Sequence, residues 1–211
     1  MSGFESKMPV IGFADRTEAR AARHDSMDGG GRAKHDARAE GWRVCGFAAW
    51  SGTGKTTLLR QLIPWFKARG LRVAVIKATH HDFEIDRPGK DSYELRKAGA
   101  AQTLLVSSRR TALITEHENP VEPDLAQALA SLDAQRADLV LVEGFKHVPF
   151  PKIELHRPAL GKPLLYPQDR TIVAIATDVP LPEVPVIPVL DLAAPDEIGE
   201  FVLRCCGIGS R

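Results

Sequence analysis

The chain has 211 residues, a formal net charge of +1 and a hydrophobic content of 44%. This length fits one ordinary domain with a buried core, or one domain plus a tail. The near-neutral charge argues against a dedicated nucleic-acid-binding protein, and no apolar run is as long as a membrane span. Three cysteines without metal-ligand spacing are typical of a reducing cytosol, so we expect a cytoplasmic protein.

Residues 1–42 differ in composition from the rest of the chain. They are rich in charged residues and alanine, and three consecutive glycines, 29–31, interrupt them. A segment with so few apolar residues buries too little surface to offset the entropy lost on ordering. We therefore predict a flexible N-terminal extension over residues 1–42, or alternatively an arm that orders on contact with a partner. A folded domain over residues 43–211 follows it.

A glycine-rich stretch stands between the first predicted strand, 44–48, and the first predicted helix, 56–69. It reads Ala49-Trp50-Ser51-Gly52-Thr53-Gly54-Lys55-Thr56-Thr57. A strand, a tight glycine loop, a Lys-Thr pair and a helix together form the phosphate-binding loop, or P-loop. Residues 43–211 are therefore predicted to be a P-loop nucleotide-binding domain.

Each part of this loop has an expected role. Backbone N–H groups and the positive end of the helix dipole cradle phosphate oxygens, and Gly52 and Gly54 permit the sharp turn. Lys55 is expected to reach the β- and γ-phosphates, and the Thr56 hydroxyl to bind Mg²⁺. Ala49 stands where the strict pattern has glycine. The predicted nucleotide-binding residues of the loop are Ser51, Gly52, Thr53, Gly54, Lys55, Thr56 and Thr57.

Strands and helices alternate after the loop. Pro64 lies inside the first helix and is expected to bend it, because proline removes one helical hydrogen bond. The later elements are predicted as strand 73–77, helix 92–98, a hairpin of 103–106 and 112–114, helix 123–135, strands 139–142, 153–156 and 172–176, edge strand 184–190 and helix 196–206. This order predicts an α/β fold of P-loop NTPase type, with a mainly parallel sheet, helices on both faces and a short β-hairpin insertion.

Ligands of parallel sheets bind at the carboxyl ends of the strands, so polar residues that follow strands are site candidates. Glu143 follows the apolar run 139–142, where a carboxylate binds Mg²⁺ or positions an attacking water. His80, His81 and Asp82 follow the second strand, and their spacing lacks the partners of a closed zinc site. Asp82 is a candidate Mg²⁺ ligand and the histidines are candidate acid–base groups, the alternative being a polar connecting loop.

Two further candidates carry charge near predicted strand ends. Asp178 follows strand 172–176 by way of Thr177. Its carboxylate can accept hydrogen bonds from the N1–H and amino groups of guanine, a donor pair that adenine lacks, although an Asx turn before Pro180 is the alternative. Arg109 and Arg110 occupy the expected hairpin turn, where they suit phosphate or an anionic pterin, and where we favour a solvated turn.

Four motifs together resemble the MobB family of molybdopterin-guanine dinucleotide biosynthesis adapter proteins, over roughly residue 43 to the C-terminus. They are the P-loop at 49–57, Thr-His-His-Asp at 79–82, the long motif Pro-Gly-Lys-Asp-Ser-Tyr-Glu-Leu-Arg-Lys-Ala-Gly-Ala-Ala-Gln-Thr at 88–103, and Leu-Val-Glu-Gly-Phe-Lys-His at 141–147. The resemblance implies a P-loop GTPase-type fold that binds GTP with Mg²⁺, hydrolyses it weakly and forms a homodimer. It also implies work on molybdopterin beside the molybdenum cofactor guanylyltransferase, which attaches GMP to molybdopterin.

The family's functional positions carry over to this chain one by one. Glu143 matches the acid after the family's apolar strand, and Ala78 departs from a histidine that the family often has there. Residues 1–42 match nothing in the family pattern. The remaining matched positions are Gly52, Gly54, Lys55, Thr56 and Thr57 for phosphate and Mg²⁺, and His80, His81 and Asp82 for the histidine-rich loop.

Three functions are compatible with these residues. The first is a GTP-binding adapter with weak, Mg²⁺-dependent GTPase activity, in which Lys55 and Glu143 carry the catalytic roles. The second is a P-loop small-molecule kinase, which needs an acceptor pocket and an arginine-bearing lid. The third is a non-catalytic scaffold in which the nucleotide only sets shape. Phosphate release without an acceptor separates the first from the second, and Lys55→Ala separates the third.

Overall fold

The computed structural model describes residues 41–79 and 83–209. The predicted N-terminal extension therefore lies outside the described residues, apart from Gly41 and Trp42. The strands are β1 (Val44–Ala48), β2 (Val73–Lys77), β3 (Gln102–Val106), β4 (Thr111–Thr115), β5 (Leu139–Glu143), β6 (Lys152–His156), β7 (Ile172–Thr177) and β8 (Val189–Asp191). The helices are α1 (Lys55–Ala68), α2 (Asp91–Lys97), α3 (Leu125–Ala130) and α4 (Pro195–Cys205).

Six strands form one parallel sheet in the order β2-β5-β1-β6-β7-β8. The interior strand β5 is buried from Leu139 to Val142, as a strand covered on both faces must be. Its continuous apolar run predicted this burial on both faces. Because β1 has β5 on one side and β6 on the other, the loop that follows β1 lies at the middle of the sheet edge.

Helices cover the two faces of this sheet, as predicted. On one face α1 and α4 pack over β1, β5, β6 and β7 through one cluster that includes Leu62, Phe66 and Ile198. On the other face Leu125 and Leu129 of α3 pack against residues of β1, β2 and β5. Fully burying each such side chain contributes about 1.5–3 kcal/mol. α1 continues through Pro64 to Ala68, so the proline does not end the helix.

The helix predicted over residues 123–135 was too long, since α3 spans only Leu125–Ala130. Asp124 caps its start by accepting a hydrogen bond from the backbone of Gln127 at 2.8 Å. Ser131 follows as the C-cap, and its hydroxyl donates to the Gln127 carbonyl at 2.9 Å. Side chains that bond to nearby backbone in this way favour caps and turns over helix interiors.

The last strand was also predicted too long, at residues 184–190. β8 covers only Val189–Asp191 and is an edge strand that pairs with β7. Val184 and Val186 alternate with prolines and are almost fully exposed. Pro185 and Pro188 lack the N–H that a longer ladder requires, which explains the short strand.

β3 and β4 form a separate antiparallel pair, in register from Gln102 opposite Thr115 to Val106 opposite Thr111. This confirms the predicted hairpin insertion. Apolar side chains of the pair are exposed, with Val106 at 70% and Leu104 at 59%. Within residues 41–79 and 83–209, we find no helix with both the length and the apolar character to cross a membrane.

Candidate functional site

The carboxyl ends of the parallel strands bring several predicted residues to one edge of the sheet. The glycine-rich loop follows β1, Glu143 ends β5, and Asp178 follows β7 directly. His80, His81 and Asp82, which were predicted for the same edge, lie outside the described residues. Arg109 and Arg110 are exposed in the turn between β3 and β4, as expected for a solvated turn.

The loop between β1 and α1 is closed by its own hydrogen bonds. The buried Thr53 hydroxyl donates to the carbonyl oxygen of Trp50 at 2.7 Å. Gly54 precedes α1 with a φ of +100°, and its carbonyl accepts the N–H of Leu58 at 3.0 Å. Only glycine adopts this φ without strain, so the backbone path that turns the loop into the helix depends on Gly54.

The Lys55 side chain folds back over the loop. Its Nζ donates to the carbonyl oxygen of Ala49 at 3.1 Å and to that of Trp50 at 3.4 Å. Partial burial lowers the pKa of Lys55, and the negative charge of Glu143 opposes that shift. These neutral carbonyls are weak partners for an ammonium group. Phosphate oxygens are stronger acceptors, so the arrangement is suited to an exchange of partners.

Glu143 lies at the end of β5 with its side chain 15% exposed, and its Oε2 is 3.5 Å from Nζ of Lys77. Its backbone carbonyl accepts the N–H of Ala78 at 2.9 Å. Gly144 follows with a φ of +100°, and a Cβ placed there would lie 2.8 Å from Cβ of Ala78. Glycine at position 144 therefore lets the two strand ends approach closely and holds the carboxylate at the edge of the sheet.

Trp50 and two lysines form a basic rim beside the loop. The indole N–H of Trp50 donates to the carbonyl oxygen of Pro163 at 2.8 Å. Lys146 and Lys162 place their ammonium groups 5.5 and 5.8 Å from the centre of its ring. Cations at this distance from an indole are attracted to its face. The rim adds positive charge next to the loop.

Glu154 holds the backbone segment beside the basic rim in place. It is fully buried on β6, and its two carboxylate oxygens accept the backbone N–H groups of Leu165 and Tyr166 at 2.8 and 2.9 Å. Burial raises the pKa of Glu154, and these two hydrogen bonds oppose the shift. The carboxylate thereby fixes the segment that carries Pro163, the partner of Trp50.

Sequence reasoning missed Arg157, which follows β6 and touches the loop. Its Nε donates to the carbonyl oxygen of Thr53 at 2.9 Å, and its Nη1 forms an ion pair with the Asp178 carboxylate. The signal that could have found it is its place directly after a predicted strand. The same argument had selected Glu143 and Asp178.

The donor set fits a nucleotide with its magnesium ion. Among the described residues, no cluster of three or more histidines, cysteines or acids is placed to hold a metal. Magnesium at phosphate sites is held by one or two protein oxygens plus the phosphates, so Thr56 and Glu143 are adequate ligands. The loop amides and Lys55 are the groups available to contact phosphate oxygens. The arrangement is therefore equipped to bind a polyphosphate and to stabilise charge on it.

Comparisons with known proteins point to one family. A family model described as MobB, molybdopterin guanine dinucleotide synthesis protein B, matches residues 44–178. The chain is 56% identical over 136 residues to the molybdopterin-guanine dinucleotide biosynthesis adapter protein of Escherichia coli (strain K12), a match that covers 64% of this chain and 78% of that protein. The corresponding adapter protein of Haemophilus influenzae is 48% identical over 140 residues, covering 65% of this chain and 76% of its own.

A solved structure shares the fold. The chain superposes on a crystal structure of molybdopterin-guanine biosynthesis protein B (mobB) with a TM-score of 0.60 and 26% sequence identity. The match covers 76% of this chain and 98% of the other. The parallel sheet and the small antiparallel pair thus belong to an architecture already seen in crystals.

Proposed function

The chain belongs to the molybdopterin guanine dinucleotide synthesis protein B (MobB) family, and from this premise we propose that it is a GTP-binding adapter with weak GTPase activity. Family membership gives it a role in molybdenum cofactor biosynthesis, since its relatives are named as adapter proteins of that process. The proposed partner is the molybdenum cofactor guanylyltransferase, with molybdopterin as the molecule on which both work. We expect the protein in the cytoplasm, where GTP is supplied.

The observation that carries the nucleotide proposal is the position of Lys55. Its ammonium bonds to the carbonyl oxygens of Ala49 and Trp50, at the start of a helix whose first N–H groups are free for an anion. Within the described residues, α1 has no side-chain cap and no acid in its first turn. A triphosphate supplies the missing negative charge at this helix start.

Each residue of the site has a defined task. Lys55 moves from the loop carbonyls to the β- and γ-phosphates, and the loop amides hold the same oxygens. Thr56 and Glu143 are the proposed magnesium ligands, with Asp82 as a further candidate. Bound magnesium supplies positive charge beside the phosphoryl oxygens. Lys55 and Glu143 are the proposed catalytic residues.

Slow hydrolysis is consistent with the ion pairs that the charged residues near the loop already form. The Glu143 carboxylate already forms an ion pair with Lys77 at 3.5 Å, so it is engaged before any water is positioned beside it. The Arg157 guanidinium is bonded to Thr53 and Asp178, so its charge is largely neutralised before nucleotide binds. An arginine that is free to reach the transferring phosphoryl group is what accelerates faster GTPases.

The β3–β4 hairpin supports the proposed homodimer. It exposes Leu104, Val106 and Leu113, and two paired strands are marginally stable alone. Contiguous exposed apolar residues of this kind mark interaction surfaces. We propose that a second copy of the chain covers them.

Calorimetric titration with GTP and Mg²⁺ tests the proposed function. The wild-type protein is expected to bind, and Lys55→Ala is expected to weaken binding at least about tenfold, because a charge-assisted contact to phosphate is lost. Lys67→Ala, an exposed lysine later in α1, is the matched control and should bind as the wild type does. Phosphate release into water without an acceptor distinguishes the GTPase from a kinase. Equal binding by wild type and Lys55→Ala would contradict the proposal.

A further inference from the structure

We propose that Arg157 is a positioning residue for purine selection, which holds the Asp178 carboxylate in a fixed position relative to the phosphate-binding loop. The inference rests on the proposed nucleotide-binding function and adds the residue that couples base selection to phosphate binding. Two hydrogen-bonding interactions of one guanidinium carry it, one to Thr53 and one to Asp178.

The strand order divides the site into two sides. β1, which precedes the loop, has β5 and β2 on one side and β6, β7 and β8 on the other. Glu143 and Lys77 lie at strand ends on the first side, and Arg157 and Asp178 follow the strands of the second. A nucleotide lies across the crevice at such a switch point. With its magnesium side at Glu143, its base extends toward Arg157 and Asp178.

Arg157 contacts the phosphate-binding loop through a backbone carbonyl. The loop presents N–H groups to an anion, so its carbonyl oxygens point away from the anion. Arg157 bonds to one of these carbonyls, that of Thr53. Its Nη2 also lies 3.8 Å from the position of a Cβ built on Gly54, which places the guanidinium against the loop. Since Asp178 already neutralises its charge, Arg157 is poorly placed to serve as a phosphate ligand.

Asp178 can still accept hydrogen bonds from a base while it is paired with Arg157. An ionised carboxylate offers about four lone-pair sites, and Arg157 takes one of them. Among the described residues, no other side chain or backbone group forms a direct hydrogen bond to Asp178, whose side chain is 31% exposed. Guanine presents two adjacent donors, N1–H and the 2-amino group, that match the remaining lone pairs. Adenine has no such pair.

An arginine is suited to this task because its guanidinium is planar and its donors have fixed directions. The carbonyl that accepts the Arg157 hydrogen bond belongs to Thr53, which is buried and held by its own hydrogen bond to Trp50. Arg157 thereby fixes the orientation of Asp178 relative to a rigid part of the loop. A lysine has one ammonium centre and cannot span both partners in the same geometry.

The test measures the affinities for GTP and ATP, each with Mg²⁺, in wild type, Arg157→Gln and Arg157→Lys. Arg170→Gln is the matched control, because Arg170 is exposed and precedes β7 at the opposite end of the sheet. We expect Arg157→Gln to reduce the preference for GTP about tenfold or more, through weaker GTP binding, with ATP affinity within about twofold of wild type. Arg157→Lys should retain part of the preference, and Arg170→Gln all of it.

Three results would overturn the inference. One is an equal loss of GTP and ATP affinity in a folded Arg157→Gln, which assigns Arg157 to the phosphates. Another is an Arg157→Lys variant whose preference for GTP over ATP equals that of the wild type. If Arg157→Gln does not fold, Arg157→Lys alone provides the test. The third is a wild-type protein that binds GTP and ATP alike while Lys55→Ala binds neither. That last result leaves the nucleotide-binding function intact and removes base selection alone.

Discussion

The Glu143 carboxylate lies 3.5 Å from the Lys77 ammonium at the ends of two neighbouring parallel strands, where the two residues are register partners. The pair sits on one side of the phosphate-binding loop, and Arg157 with Asp178 flanks the other side. The loop is thus bordered by one charged pair on each side. We propose that the first pair faces the magnesium side of the nucleotide and that the second faces its base.

Glu143→Gln is expected to reduce the dependence of GTP binding on magnesium. The amide keeps the size of the side chain but removes the negative charge that holds the cation, and we expect the gain in affinity from added Mg²⁺ to fall about tenfold. Titration with GTP in Mg²⁺ and in EDTA measures this gain. Glu183→Gln, at an exposed position in the segment before β8, is the control. An undiminished response to Mg²⁺ would remove Glu143 from the metal site.

Asp178→Asn is expected to exchange guanine for xanthine. The asparagine amide donates where the carboxylate accepted, so it opposes the 2-amino group of guanine and suits the 2-oxo group of xanthine. Binding of GTP should fall at least about tenfold and binding of XTP should rise, by competition against a labelled nucleotide. Weaker binding of both nucleotides, or no change in either, would show that Asp178 does not face the base.

The loop and the central sheet were predictable because their signals are local. The run 139–142 is apolar without alternation, and the glycine-lysine spacing of 52–55 belongs to one backbone motif. The strand-end rule then selected Glu143 and Asp178 before their surroundings were known.

What escaped prediction depends on contacts between distant parts of the chain. Arg157 meets Thr53 across 104 positions, and Trp50 meets Pro163 across 113. No periodicity encodes such pairs. The excess length predicted for α3 has a different origin, because apolar spacing continued to Leu132 while the helix ended at Ala130. Apolar patterning therefore predicts which elements exist better than where they stop.

Arg96 is expected to stabilise the α2–hairpin region in a pH-dependent way. Its guanidinium, buried at 7% exposure, forms ion pairs with Glu84, Asp86 and Glu116. Hydrogen bonds from Arg96 lower the pKa values of Glu84 and Asp86. A carboxylate with a lowered folded-state pKa contributes stability above its unfolded pKa, and that stability disappears as the pH falls through the folded value.

Arg96→Met should therefore lower Tm by several degrees at pH 7, and the difference from wild type should shrink below about pH 4. Thermal unfolding followed by circular dichroism across this range measures it. Arg136→Met is the control, since Arg136 pairs with Asp133 on the surface at 85% exposure. A Tm difference that is constant from pH 7 to pH 3 would mean that Arg96 acts through packing alone.

Val106→Glu is expected to weaken the proposed homodimer. A charge in the middle of an apolar contact must be desolvated on association, so the dissociation constant should rise at least about tenfold. Sedimentation velocity over a concentration series measures the change. Val184→Glu alters a still more exposed valine outside the hairpin and should leave association unchanged. Equal effects of the two substitutions would place the contact elsewhere.

The most direct test of the central claim is a crystal structure with a non-hydrolysable GTP analogue and Mg²⁺. The account predicts that Lys55 Nζ leaves the Ala49 carbonyl, from which it now lies 3.1 Å, and contacts the β- and γ-phosphates inside the loop. A fully occupied analogue bound elsewhere, with Lys55 still on Ala49, would contradict it.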